Sequence, residues 1–218
     1  MTSHEETSVV LRGAVAMASG FPLLSGVDLQ LSTSSLTVLV GANGAGKTSL
    51  LRLLAGLIGL NAGEGTVLGL DLAAVDRRAL RRRVGWLGHE GSFYDDLTVT
   101  ENLTFAAKAL GRPLDELTAV LERVELGGRR DTVAKQLSAG QRRRLGLAWL
   151  LLRRPELWLL DEPYASLDDH GRTFFDALLG EVVERGATVV VSAHDPLRSA
   201  QLCPRTLVMA GGRIVGES

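Results

Sequence analysis

The sequence predicts an α/β protein with a parallel sheet at its core, an antiparallel β portion at the N-terminus and a helical subdomain over roughly residues 90–150. Three observations lead there. Short, largely apolar runs recur at Leu36–Val40, Val84–Leu87, Leu157–Leu160 and 188–191, the first of them rich in β-branched residues, as buried parallel strands require. Helical patterns separate these runs, and strands alternating with helices imply a parallel sheet with covered faces. Between them, from 98 to 152, the apolar period is helical almost throughout.

Taken in order, 9–11 and 14–18 read as strand around Gly13, and 27–31 alternates like another. The run Leu36–Val40 enters a glycine-rich loop, and a helix is expected over 48–57, ended by Gly56 and Gly59. A short, very basic helix at 76–83 precedes the strand Val84–Leu87. The helical stretch 98–126 is interrupted at Gly111-Arg112-Pro113, and a further helix over 138–152 stops before Pro155, since proline disfavours continuation. After Leu157–Leu160 come an amphipathic helix at 173–184, the strand 188–191, and a hairpin of 206–209 with 213–215 across Gly211-Gly212.

With 218 residues, 45% of them hydrophobic and 22% charged, the chain suits a single globular domain, expected to span 1–218. A net charge of −1 offers no overall basic field for nucleic acid. The arginines at 77, 78, 81–83 and 142–144 are not interleaved with aromatics, so nucleic acid is not an expected partner. The single cysteine, Cys203, cannot form an internal disulfide, which fits a reducing cytoplasm. Residues 1–8 lack the basic start and apolar run of a secretory signal. The most apolar stretch, 145–152, falls far short of the ~20 residues that span a bilayer, so a membrane role would need a spanning partner.

Two motifs carry chemistry. Gly41-Ala42-Asn43-Gly44-Ala45-Gly46-Lys47-Thr48 fits GxxxxGK[ST] at every defined position, between a strand and a helix. Its glycines let backbone N–H groups turn inward around phosphate oxygens, and the helix start adds free N–H groups and a positive dipole end. Lys47 would reach the β- and γ-phosphates, the Thr48 hydroxyl would bind Mg²⁺, and Ser49 belongs to the same nucleotide-binding stretch. The run Leu157-Trp158-Leu159-Leu160-Asp161-Glu162 leaves Asp161 at the C-terminal edge of a buried strand, where α/β proteins bind ligands. Asp161 is suited to hold Mg²⁺ through water, and Glu162 to polarise an attacking water.

Leu137-Ser138-Ala139-Gly140-Gln141 resembles the LSGGQ signature of ATP-binding cassette (ABC) proteins, with alanine for the first glycine. Gln141 lies 20 residues before Asp161, a spacing typical of that family. Ala165-Ser166-Leu167-Asp168 resembles its D-loop, and Ser192-Ala193-His194 its switch histidine, 32 residues beyond Glu162. The resemblance covers about 9–216. It implies a P-loop NTPase (RecA-like) core, ATP and Mg²⁺ as ligands, and two copies paired head to tail. Each site would then join Lys47, Thr48, Asp161, Glu162 and His194 of one chain to Ser138, Gly140 and Gln141 of the other, with Asp168 along the interface.

Two departures from the common pattern matter. Where most ABC ATPases place a glutamine after the strand read here as Val84–Leu87, this chain has Gly88-His89-Glu90-Gly91, and His89 could offer a ring nitrogen to Mg²⁺-bound water. The aromatic that usually stacks on adenine is missing near Ala18, and Phe21 is the nearest replacement, weighed against a plain packing role. The stretches 87–91, 136–141 and 157–163 are together similar to the ATP-binding subunit of haem exporters used in cytochrome c maturation. That resemblance implies transmembrane ABC subunits as partners, a seat on the cytoplasmic face of the cell membrane, and transport-coupled ATP hydrolysis. The alternatives are an ABC exporter of drugs, peptides or lipids, and a soluble ABC ATPase outside transport.

Overall fold

The computed structural model describes residues 6–74, 76–88, 93–165, 167–193 and 205–217 of the chain. Two sheets carry the fold. An antiparallel sheet runs β2 (Phe21–Ser32), β1 (Thr7–Ala18), β4 (Ala62–Val67), β5 (Leu70–Asp71). A second, six-stranded sheet has the order β10-β9-β3-β8-β7-β6, with β3 (Leu36–Val40), β6 (Val84–Leu87), β7 (Leu157–Leu160), β8 (Thr188–Ala193) and β9 (Thr206–Ala210) parallel. Only β10 (Arg213–Glu217), at the edge, is antiparallel to its neighbour.

The apolar runs of the core strands have a simple cause, for the parallel sheet is covered on both faces. Along β7, Leu157 and Leu159 pack with the leucines of α1 (Lys47–Leu54) and the antiparallel sheet. Trp158 and Leu160 point the other way, to α5 (Ala139–Arg153) and α6 (Asp169–Glu184). Alternate residues thus enter two different cores, and neither face tolerates a polar stripe.

The helical stretch splits as expected: α3 (Val99–Leu110) ends on Gly111 in the left-handed region at φ 63°, and α4 (Glu116–Arg123) follows Pro113. Thr98 and Glu101 form a capping box at the start of α3. The buried Asn102 side chain bonds the backbone of Tyr94, Leu97 and Thr98, fastening the segment after 89–92 to α3.

Three expectations need correction. β1 is one strand rather than two: Gly13 forms a bulge, and Gly63 of β4 lies so close that a Cβ there would collide with the Gly13 carbonyl. β4 and β5 went unread because Ala62–Val67 holds two glycines and buries only two of its residues. α6 begins at Asp169, not 173, since Asp168 caps it by accepting from the Gly171 amide at 2.8 Å, and the weak helix formers His170 and Gly171 mask that first turn. The basic helix α2 (Arg77–Arg83) is as read, anchored by the buried Leu80.

Candidate functional site

The loop 41–46 leaves β3 and delivers the chain into α1. Gly41, at φ 154°, passes against the backbone of β9, where a Cβ would collide with the Met209 carbonyl. Gly46, at φ 105°, is the N-cap of α1 and supplies no side-chain cap. The first amides of the helix therefore keep their hydrogen-bonding capacity for an anion. Lys47 is buried, with its ammonium folded onto the carbonyls of Gly41 (2.7 Å) and Ala42 (3.1 Å). A cleft of about 510 Å³ opens over this loop, lined by residues 43–49, Pro22, Leu23 and Glu162.

Beneath the cleft a chain of hydrogen bonds links three separate elements. The Thr48 hydroxyl donates to Asp161 Oδ2 at 2.8 Å, and the Ser192 hydroxyl donates to Asp161 Oδ1 at 2.7 Å. The Ser192 oxygen in turn accepts the Glu162 amide at 2.9 Å. Asp161 is 1% exposed and its own amide bonds Leu87 of β6, so the carboxylate is locked in place. Glu162 is half-buried on the cleft wall and holds a backbone φ of 49°, a region that non-glycine residues rarely adopt. Arg143 reaches the same spot from α5, donating to the carbonyls of Gly88 (2.7 Å) and Glu162 (3.2 Å). Burial pushes its guanidinium below the ordinary arginine value, while the charges of Asp161 and Glu162 oppose that shift.

Most of the expected site residues meet here: residues 41–49 with Asp161 and Glu162. Ser138, Gly140 and Gln141 are not among the residues lining the cleft. Ser138 is exposed and caps α5, its hydroxyl accepting from the Gln141 amide while Gln141 Oε1 accepts from the Ser138 amide. Asp168, as the cap of α6, already has a structural task within its own chain. His89, His194 and Ser166 lie outside the described residues. Phe21 is 74% exposed at the start of β2, two residues before Leu23 on the cleft wall, which removes the packing role weighed for it. Ser192 and Arg143 are the participants that sequence reasoning missed. A hydroxyl ending an otherwise apolar strand was the one available signal for Ser192.

The donor set around Thr48 and Asp161 fits a hard cation: a hydroxyl and a carboxylate, both oxygen donors, side by side at the mouth of the phosphate loop. Among the described residues no group of three or more His, Cys, Asp and Glu could hold a metal by itself. A Mg²⁺ ion here would draw its remaining ligands from water and phosphate, as that ion commonly does.

A family model described as ABC transporter matches residues 24–165. The cytochrome c biogenesis ATP-binding export protein CcmA of Pseudomonas putida is 43% identical over 177 residues, which span 80% of this chain and 83% of that protein. The methionine import ATP-binding protein MetN of Caulobacter vibrioides is 37% identical over 206 residues, 91% of this chain and 62% of that one. A solved ATP-binding cassette, dimeric in a post-hydrolysis state with ADP and Pi, superposes with a TM-score of 0.86 over 96% of this chain and 97% of its own. At 23% identity that last likeness speaks for the fold alone. Sequence relatives, fold and phosphate loop agree, and the chain belongs to the ABC transporter family as one of its ATP-hydrolysing subunits.

Proposed function

We propose that this chain is the ATP-hydrolysing subunit of a haem exporter serving cytochrome c biogenesis, working as a head-to-tail pair beneath transmembrane subunits on the cytoplasmic face of the cell membrane. The whole of 1–218 acts as one ABC ATPase domain in this reading, with 90–150 as its helical subdomain. The observation that carries the hydrolytic part is the hydrogen-bonded chain from Thr48 through Asp161 and Ser192 to Glu162. It ties the floor of the phosphate loop to the residue best placed to handle water.

ATP would lie with its phosphates on the amides of 41–46 and of the first turn of α1. Lys47 would exchange the carbonyls of Gly41 and Ala42 for the β- and γ-phosphates. Thr48 and Asp161 would hold Mg²⁺, which neutralises the charge that develops on the transferring phosphoryl group. Glu162, on the cleft wall, would orient and polarise the attacking water for in-line displacement. His194, and His89 toward the Mg²⁺-bound water, would add contacts at the γ-phosphate end. Phe21 would cover the adenine. The helix start at Ser138 and Gly140 does not line the cleft of its own chain, which supports its completing the site of a second copy. Asp168 would lie along that interface.

Two experiments test this. Glu162→Gln should abolish steady-state ATP turnover while leaving ATP binding intact, and normal turnover would remove Glu162 from its role. Tagged chain recovered from membranes should bring transmembrane subunits of a haem exporter with it. Consistent recovery of a methionine or multidrug permease instead would overturn the assigned cargo. The likeness to CcmA supports haem export, and no observation on this chain favours drug, peptide or lipid export, or a soluble role.

A further inference from the structure

Arg143 belongs to the second turn of α5, the helix that starts at Ser138, yet its side chain leaves that helix for the ends of two core strands. One guanidinium nitrogen donates to the carbonyl of Gly88, directly before the stretch 89–92 that follows β6, and another to the carbonyl of Glu162. Glu162 sits at φ 49°, and a non-glycine residue stays in that region only where its surroundings hold it. What holds it is visible: the Ser192 hydroxyl oxygen accepts from the Glu162 amide, while Arg143 and the Ala165 amide donate to the Glu162 carbonyl. We infer that Arg143 is a positioning residue for ATP hydrolysis, gripping Gly88 and Glu162 together so that the aim of the Glu162 carboxylate follows the position of α5.

Arginine suits this task because its planar fork presents several donors at fixed angles and can serve two carbonyls at once. Lysine offers a compact ammonium on a flexible stem and holds such a pair less rigidly. Burial disfavours the cation here, and the nearby charges of Asp161 and Glu162 offset that cost in part. A contact made at the first turn of α5 would therefore reach Glu162 of the same chain through one side chain.

The inference rests on Glu162 as the residue that polarises water, and the test separates the two. ATPase kinetics are measured on the full-length chain purified with its membrane subunits, for Arg143→Met, Arg143→Lys, Glu162→Gln and the Arg143→Met/Glu162→Gln double variant. Arg143→Met should lower kcat on the order of 10- to 100-fold, the cost of misplacing a reacting group, while KM and the affinity for a fluorescent ATP analogue stay within about twofold. Arg143→Lys should recover part of the loss, and it carries the test if the methionine variant fails to fold. In the Glu162→Gln background, Arg143→Met should change the residual turnover by less than about twofold, because residues that act as a unit are not additive. A kcat near that of the parent in Arg143→Met, a loss of nucleotide affinity in step with kcat, or a full multiplicative loss in the double variant would overturn the inference. Normal turnover in Glu162→Gln would instead fell the reading of Glu162, and the inference with it.

Discussion

Ser192→Ala is the sharpest probe of the hydrogen-bonded chain beneath the cleft. Ser192 is fully buried at the end of β8, and its hydroxyl serves two groups at once. Alanine removes a bond donated to a carboxylate, about 1.5–3 kcal/mol, and takes from the Glu162 amide the acceptor it uses, about 1–3 kcal/mol. The two terms share one atom and do not simply add, so a loss of about 2–4 kcal/mol is expected. At roughly 2–4 °C per kcal/mol for a chain of this size, the Tm should fall by about 4–16 °C. Thr37 provides a contrast in the neighbouring strand β3, where it pairs with Val190. It is equally buried, but among the described residues its hydroxyl has no hydrogen-bond partner. Thr37→Val should therefore be neutral or stabilising by about 1 kcal/mol, since an unsatisfied buried hydroxyl carries its desolvation cost without return. Circular dichroism melts of both variants, with ATP turnover alongside, make the comparison. A Ser192→Ala Tm within about 2 °C of the parent, with unchanged kcat, would refute the reasoning, because one kcal/mol already moves the melt that far.

Three further outcomes follow from the same geometry. Gly41→Ala should abolish nucleotide binding, measured by fluorescent-ATP titration, because its methyl group collides with the backbone carbonyl of Met209, which cannot rotate away. Phe21→Ala should weaken ATP binding by about 1–3 kcal/mol, the range for base–aromatic stacking, with a Tm unchanged within about 2 °C because the ring is exposed; unchanged affinity would leave adenine to another residue. Glu156 is held below its ordinary value of 4.5, chiefly by its hydrogen bonds with Arg83, then by charge attraction, against desolvation. A lowered folded-state value means stability that is present above about pH 4.5 and lost as pH falls through the folded value. Glu156→Gln should thus cost no more than about 1 kcal/mol at pH 7, as expected for an exposed pair, and the gap in Tm should narrow as the pH falls below 4.5. A gap that widened in acid would contradict the assignment.

Much of this protein is local, and local order is legible. The strand, glycine loop and helix from 36 to 54 are contiguous, so their joint chemistry could be read from adjacent letters. The same holds for the buried strand ending at Asp161 and for the capped helix start at Ser138. What stayed hidden depends on partners far along the chain. β4 forms because Gly63 fits against the bulge at Gly13 across about 50 residues, not because Ala62–Val67 looks like a strand. Ser192 becomes a structural link only when β8 settles beside β7 and brings its hydroxyl to Asp161. In the sequence Arg143 is one of three consecutive arginines after the helix start at Ser138, and its bonds to the Gly88 and Glu162 carbonyls arise only where α5 meets the ends of β6 and β7. The amino-acid sequence by itself determined which groups can bind phosphate, metal and water. The tertiary structure alone decided how the Glu162 backbone is held and by whom, because hydrogen bonds between strand ends depend on distance in space and not along the chain.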